Sequence, residues 1–257
     1  MRPPHNLFHR TRQRESPTTD AYSLDSAPVT ADKLIRTQSA DLPTHSPTLL
    51  EIVKRRAPSG ILVVLWIIIP YSLLQQVAIR EILWVKPSAF DLAIPVNFHS
   101  LWFYLSFYGL LAWIGLGVDD HHYKRYIRSI AWTALVSHLI FFLIPNGVTR
   151  EAIDAESAPV IYQWLILADE PRNAFPSLHA SLSILAGLAA SASSRIRKPL
   201  KILAWLWILG IFWSTIALRQ HYAVDLISGG GLALVVWLLV GRALPFPDAP
   251  ARSTKAA

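Results

Sequence analysis

Leu200 to Leu218 reads LKILAWLWILGIFWSTIAL, nineteen residues among which Lys201 is the single charge. As a helix this run is about 28 Å long at 1.5 Å per residue, close to the roughly 30 Å of hydrocarbon in a bilayer. Runs of this kind recur with charged punctuation between them. They predict six membrane-spanning helices: Ile61 to Ile79, Pro95 to Val118, Tyr126 to Ile144, Phe175 to Ser193, Leu200 to Leu218 and Asp225 to Leu244. With 53% hydrophobic and 16% charged residues, and ten tryptophans suited to interfacial belts, a soluble all-helical protein is the weaker reading. The expected fold is all-α, a polytopic membrane protein built on a six-transmembrane-helix bundle.

The fourth run is the least apolar. Its Ala, Ser and Gly content predicts a helix enclosed by its neighbours, because small side chains let backbones approach closely within a membrane. Residues 1–57 are rich in Ser, Thr, Pro and charge and end in Lys54-Arg55-Arg56, so they read as a disordered cytoplasmic tail. Residues 58–244 form the expected membrane domain and 245–257 a short cytoplasmic tail. The first span is the expected targeting element, since no signal-peptide pattern precedes it.

Basic residues gather at Lys54 to Arg56, Lys124 to Arg128, Arg195 to Lys201 and from Arg242 onward, which six spans put on one side. The positive-inside bias then predicts cytoplasmic termini in a cell inner membrane, with the loops after spans one, three and five outside. This anchoring accounts for most of the net charge of +7 and leaves no nucleic-acid partner to expect. The absence of cysteine excludes disulfides, thiolate metal sites and a cysteine nucleophile. Neither a Gly-rich phosphate loop nor a G-x-S-x-G elbow occurs.

Two outer loops carry the polar chemistry. The first ends in PRNAFPSLHASL, Pro171 to Leu182, and the second contains STIALRQHYAVDLISGG, Ser214 to Gly230. His221 and Asp225 are four apart, which on a helix puts them on one face, so the carboxylate can accept a hydrogen bond from one imidazole nitrogen and leave the other free. A histidine so prepared is a nucleophile, a general base or a metal ligand. Arg219 brings a permanent positive charge for an anion. In the first loop Pro176 suits the first turn of a helix, whose free N–H groups, with the Ser177 hydroxyl, can cradle phosphate oxygens, and His179 points the same way. Arg150 and Arg172 are further candidate cations. Together these parts suit phosphoryl transfer with no metal or other cofactor, one histidine attacking and the other acting as acid.

FPSLH, Phe175 to His179, and QHYAVD, Gln220 to Asp225, resemble the second and third motifs of the type 2 phosphatidic acid phosphatase (PAP2) superfamily, in its inositol phosphorylceramide synthase-like branch; Asp169, Pro171 and Asn173 resemble the approach to the former. The resemblance covers roughly Ile61 to Leu244. It implies a metal-independent enzyme of lipid metabolism with His221 as nucleophile, Asp225 as its orienting partner, His179 as general acid and Ser177 as phosphate ligand. The substrate implied is a lipid phosphate or diphosphate at the outer membrane face, and a phosphotransferase or a non-catalytic lipid-binding or transport protein are the alternatives. Several family positions differ. Leu143 stands where a lysine is usual if Arg150 is the first motif's arginine, Glu151 where a proline is usual, Leu178 where a glycine is usual and Thr215 where an arginine is usual, with Arg219 as the apparent replacement cation.

Overall fold

The computed structural model of the chain describes residues 47–150, 153 and 158–243. Helix α1, Leu49–Gln76, begins inside the stretch expected to be tail. Thr48 Oγ accepts from the Glu51 N–H while the Glu51 carboxylate accepts from the Thr48 N–H at 2.8 Å. This is a capping box, and its T-x-x-E signature precedes an apolar run as such boxes do. Arg56, expected in the basic end of the tail, is a buried residue of α1. It donates to the Asp120 carboxylate at 2.6 Å and to the Gly115 carbonyl at 2.7 Å, and its guanidinium lies over the Tyr123 ring. Residues 1–46 of the expected tail, and the C-terminal tail 245–257, lie outside the described residues.

After α1 come β1 (Leu83–Val85), α2 (Ala89–Ala93) and a 3₁₀ turn (Phe98–Ser100) leading into α3 (Leu101–Gly117). Then follow α4 (Asp120–Leu143), β2 (Asn146–Val148), α5 (Val160–Ala168), α6 (Leu178–Ala192), α7 (Lys198–Ala217) and α8 (Ala223–Ala243). Five are long and apolar enough to cross a membrane: α1, α3 with its 3₁₀ turn, α4, α7 and α8. The fourth predicted run is α6, shorter at 15 residues. It touches α3, α4, α7 and α8, and Ala180, Leu185, Ala186, Ala189 and Ala190 along it have no exposed surface.

Small residues make that enclosure possible. A Cβ on Gly229 of α8 would collide with the Ser177 carbonyl at the head of α6. Backbone approach of this kind requires glycine.

Three loops meet at the end of the bundle where α6 begins. β1 pairs in parallel with β2, the Val148 N–H donates to the Pro171 carbonyl at 2.8 Å, and the Asn97 N–H donates to the Ala217 carbonyl at 3.2 Å. Strands this short, and the helices α2 and α5, carry too little periodic signal to be read from sequence. At the other end Asp119 caps α4, accepting from the His122 N–H at 3.1 Å and from the Ser193 hydroxyl at 2.8 Å.

Candidate active site

The turn carrying His221 wraps back over the end of α7. The N–H groups of Gln220 and His221 both donate to the Thr215 carbonyl, at 2.9 and 3.3 Å, and Arg219 adopts φ 53°, the left-handed conformation that commonly closes a helix. Glycine is the usual occupant because a side chain there is strained. Arg219 is held by its guanidinium, which donates to the carbonyls of Asp91 at 2.8 Å, Ile94 at 3.0 Å and Ile216 at 3.1 Å. The side chain expected to hold phosphate is therefore 2% exposed and has both terminal nitrogens committed to backbone oxygens.

His221 precedes α8, so it does not share a helical face with Asp225 as the spacing suggested. The two meet because Asp225, third residue of α8, turns its carboxylate back to accept from the Tyr222 N–H at 2.9 Å. The same Oδ2 lies 3.8 Å from His221 Nδ1. That is beyond hydrogen-bond length, as catalytic contacts often are before substrate tightens them.

Ser177 is the N-cap of α6, its Oγ accepting from the Ala180 N–H at 3.2 Å, and its own N–H donates to the Asp225 carbonyl at 3.1 Å. Pro176, expected inside the first turn, instead precedes the cap and follows a cis peptide bond. The second residue of the helix is His179. Its Nδ1 lies 3.4 Å from Nε2 of His221, and its ring is flanked by Tyr104 and Phe107 at centroid distances of 4.7 Å each. The first-turn N–H groups of α6 lack intrahelical acceptors and carry the positive end of the helix dipole.

Between α1, α3 and α6 lies a cavity of about 340 Å³ whose wall includes His179, His221, Asp169, Tyr71, Gln75 and Tyr104. Of the seven residues expected at the site, only the two histidines line it. Arg150 is close by, donating to the Asp169 carbonyl at 2.6 Å and to Gln220 Oε1 at 2.9 Å. Arg172 donates to the Gln75 carbonyl at 2.7 Å, and its Nε is 3.5 Å from the Glu170 carboxylate. Among the described residues, His221 Nδ1, His179 Nε2, Asp225 Oδ1 and the Nε atoms of Arg150 and Arg219 are buried with no hydrogen-bond partner. Native folds leave few such atoms; these five belong to the turn and the residues around it, and others lie along α4 at Tyr126, Ser129, Thr133 and Ser137.

Sequence reasoning missed the supports. The Asp169 carboxylate accepts from the Tyr71 hydroxyl at 2.9 Å, the Gln75 amide at 2.8 Å and the Tyr104 hydroxyl at 3.2 Å. Its sequence signal was position alone, just before PRN. Asn146 fixes Phe175 from both sides, accepting from its N–H at 2.7 Å and donating to its carbonyl at 2.9 Å. Asp91 accepts from the Ala223 N–H at 2.7 Å. Asp91 has a local mark only as the capping-box partner of Ser88, and nothing local announces its reach to Ala223 or that of Asn146 to Phe175, because those partners are remote in sequence.

Apolar helices long enough to cross a membrane, with paired histidines and a carboxylate gathered at one end, define a multi-pass membrane protein with a polar site at the end of its bundle. The profile of the PAP2 superfamily matches residues 81–239, and the chain belongs to that superfamily. The chain is also 39% identical over 67 residues to the inositol phosphorylceramide synthase catalytic subunit AUR1 of Saccharomyces cerevisiae. That match covers 25% of this chain and 16% of the yeast protein. No solved structure is a significant match.

Proposed function

We propose that the protein is a lipid phosphatase that hydrolyses a lipid phosphate or diphosphate at the outer face of a cytoplasmic membrane through a phosphohistidine. The observation that carries this reading is the facing pair, His221 Nε2 and His179 Nδ1, 3.4 Å apart on one cavity wall with Asp225 behind His221.

On substrate binding the 3.8 Å gap between His221 Nδ1 and Asp225 closes to a hydrogen bond, which leaves the Nε2 lone pair to attack phosphorus. The P–O bond to the lipid alcohol breaks as His179 delivers a proton to the departing oxygen. Water then attacks the phosphohistidine, His179 takes its proton, and phosphate leaves with His221 restored. In-line displacement needs the leaving oxygen opposite the attacking nitrogen, so the entering phosphorus must replace the direct contact between the two rings. The first-turn N–H groups of α6 that the cap does not use, those of Leu178 and His179, are donors for the developing charge. Arg150 supplies a cation from the side of Gln220.

A phosphotransferase reading has its own support in the likeness to the yeast synthase subunit. In it an alcohol takes the place of water in the second step. The test is product analysis with purified protein in detergent and EDTA, offering lipid mono- and diphosphates with and without polyol acceptors. Free phosphate that disappears in His221→Ala supports the hydrolase; a new phosphodiester formed at its expense supports the transferase. Neither product from the wild type would overturn both.

A further inference from the structure

The active-site cavity has a neighbour deeper in the bundle. A second cavity of about 360 Å³ lies between α1, α3 and α4, and the two share Val64, Ile67, Tyr108, Leu111 and Leu182 as wall. Along α1 the lining residues fall three or four apart from Val53 to Gln75, one face of one helix. The 22 steps from Val53 to Gln75 extend about 33 Å at 1.5 Å each, which equals or exceeds the roughly 30 Å of bilayer hydrocarbon rather than one leaflet's half of it. Near Gly60 and Gly115 the far chamber is walled by small residues, and at its end Arg56 is neutralised by Asp120 and covered by Tyr123.

We infer that this slot holds one hydrocarbon tail of the lipid whose phosphate sits at the histidines, and that the tail is longer than one leaflet. The inference rests on the lipid-phosphate reading above and adds the class of tail. The five wall residues shared with the catalytic cavity select this occupant, because a tail attached to a phosphate at His221 would reach that common wall first. Size sets the number of chains. At about 30 Å³ for a group the size of a water or methylene, the two cavities together hold on the order of two dozen groups, one long chain and not two. Most of one wall comes from α1, Leu49–Gln76, which lies before the matched region 81–239.

Gly60 provides the test, since it lines the far chamber and a Cβ built there meets no atom within 4 Å, so Gly60→Phe adds bulk at that wall, and a thermal melt matching the wild type checks that the variant folds. Two lipid monophosphates, one very-long-chain and one short-chain, each with a diazirine on its terminal carbon, would be photolysed with the purified full chain and the adducts mapped by peptide. The long tail is expected to label Val53 to Gly60 and Tyr123 to Ile130, and the short tail Val64 and Ile67. In Gly60→Phe the far label should fall at least tenfold while the short-chain label persists. Unchanged labelling in the variant, or label spread over the outward-facing Leu62 and Ile69, would overturn the slot and indicate surrounding bilayer lipid only. Labelling needs no turnover, so phosphate release measured in parallel separates the two ideas: far label without release keeps the slot and sinks the phosphatase, and release without far label does the reverse.

Discussion

The carboxylate of Asp91 accepts the N–H of Ala223 at 2.7 Å on one oxygen, and the N–H and hydroxyl of Ser88 at 2.8 and 2.6 Å on the other. Ala223 begins α8 two residues after His221, so the loop between the first two spans fixes the start of the helix that carries Asp225. Arg219 fastens the same loop through the Asp91 and Ile94 carbonyls. Asp91→Ala leaves buried donors without an acceptor, at about 1–3 kcal/mol for each unsatisfied group. The expected result is a clearly lower melting temperature in detergent and at least tenfold slower phosphate release. Asp91→Asn keeps one acceptor and should fall between, and equal melting of all three proteins would remove Asp91 from its positioning role.

Gly229 offers a second handle on the same geometry. An added methyl would meet the Ser177 carbonyl, the Ser181 hydroxyl at 3.0 Å and the Ala180 Cβ at 3.2 Å, forcing α8 away from the head of α6. Overpacking of this kind costs about 1–3 kcal/mol. Gly231 on the same helix has open space around it, and Gly231→Ala should be neutral or slightly stabilising, as alanine is in helices. Thermal melts of the two variants are expected to diverge in that order. If Gly229→Ala melts with the wild type, the contact between the helices is looser than described.

The membrane class and the two motifs were legible because each rests on a local signal. Apolar runs announce spans, and FPSLH and QHYAVD each keep their residues within a few positions of one another. The supports were not legible. Asp91 reaches Ala223 across 132 residues and Asn146 reaches Phe175 across 29, distances at which composition and periodicity carry no information. The phosphate role expected of Arg219 met a different obstacle, since charge alone does not reveal that a left-handed turn buries the guanidinium among carbonyls. His221 and Asp225 lie 3.8 Å apart without sharing the helical face their spacing predicted, because a helix start four residues away mimics such a face.

Asp119 links acidity to stability at the opposite end of the bundle. Burial opposes its ionisation, but the His122 N–H, the Ser193 hydroxyl and the His122 ring outweigh that and hold its pKa down to about 2. A carboxyl depressed in the fold adds stability that is fully present above its unfolded value near 4 and is lost as pH falls through about 2. With the side chain 32% exposed, solvent screening reduces the effect to about 1–2 kcal/mol. Asp119→Asn should therefore melt lower than the wild type at pH 7, and the gap should close as both are acidified from pH 4 towards 2. A gap that stays constant over that interval would mean the carboxylate's charge contributes nothing.

The division of labour between the histidines can be read from the leaving group. In the proposed mechanism His179 donates a proton to the departing lipid alcohol, a poor leaving group without it, and general acid catalysis of this kind contributes about 10²–10⁴-fold. A nitrophenyl phosphate ester departs as a stable anion and needs no such proton. His179→Ala should thus lose about 10²-fold or more on the lipid phosphate but far less on the aryl ester, whereas His221→Ala, lacking the attacking nitrogen, should lose activity on both. Asp225→Asn is expected to resemble a weakened His221, slow on either substrate, because it no longer orients Nδ1–H. The ring of His179 is wedged between Tyr104 and Phe107, so His179→Gln is the better-packed companion variant. Equal losses on both substrates in both His179 variants would mean that the residue shapes the cavity or holds His221 and does not deliver the proton.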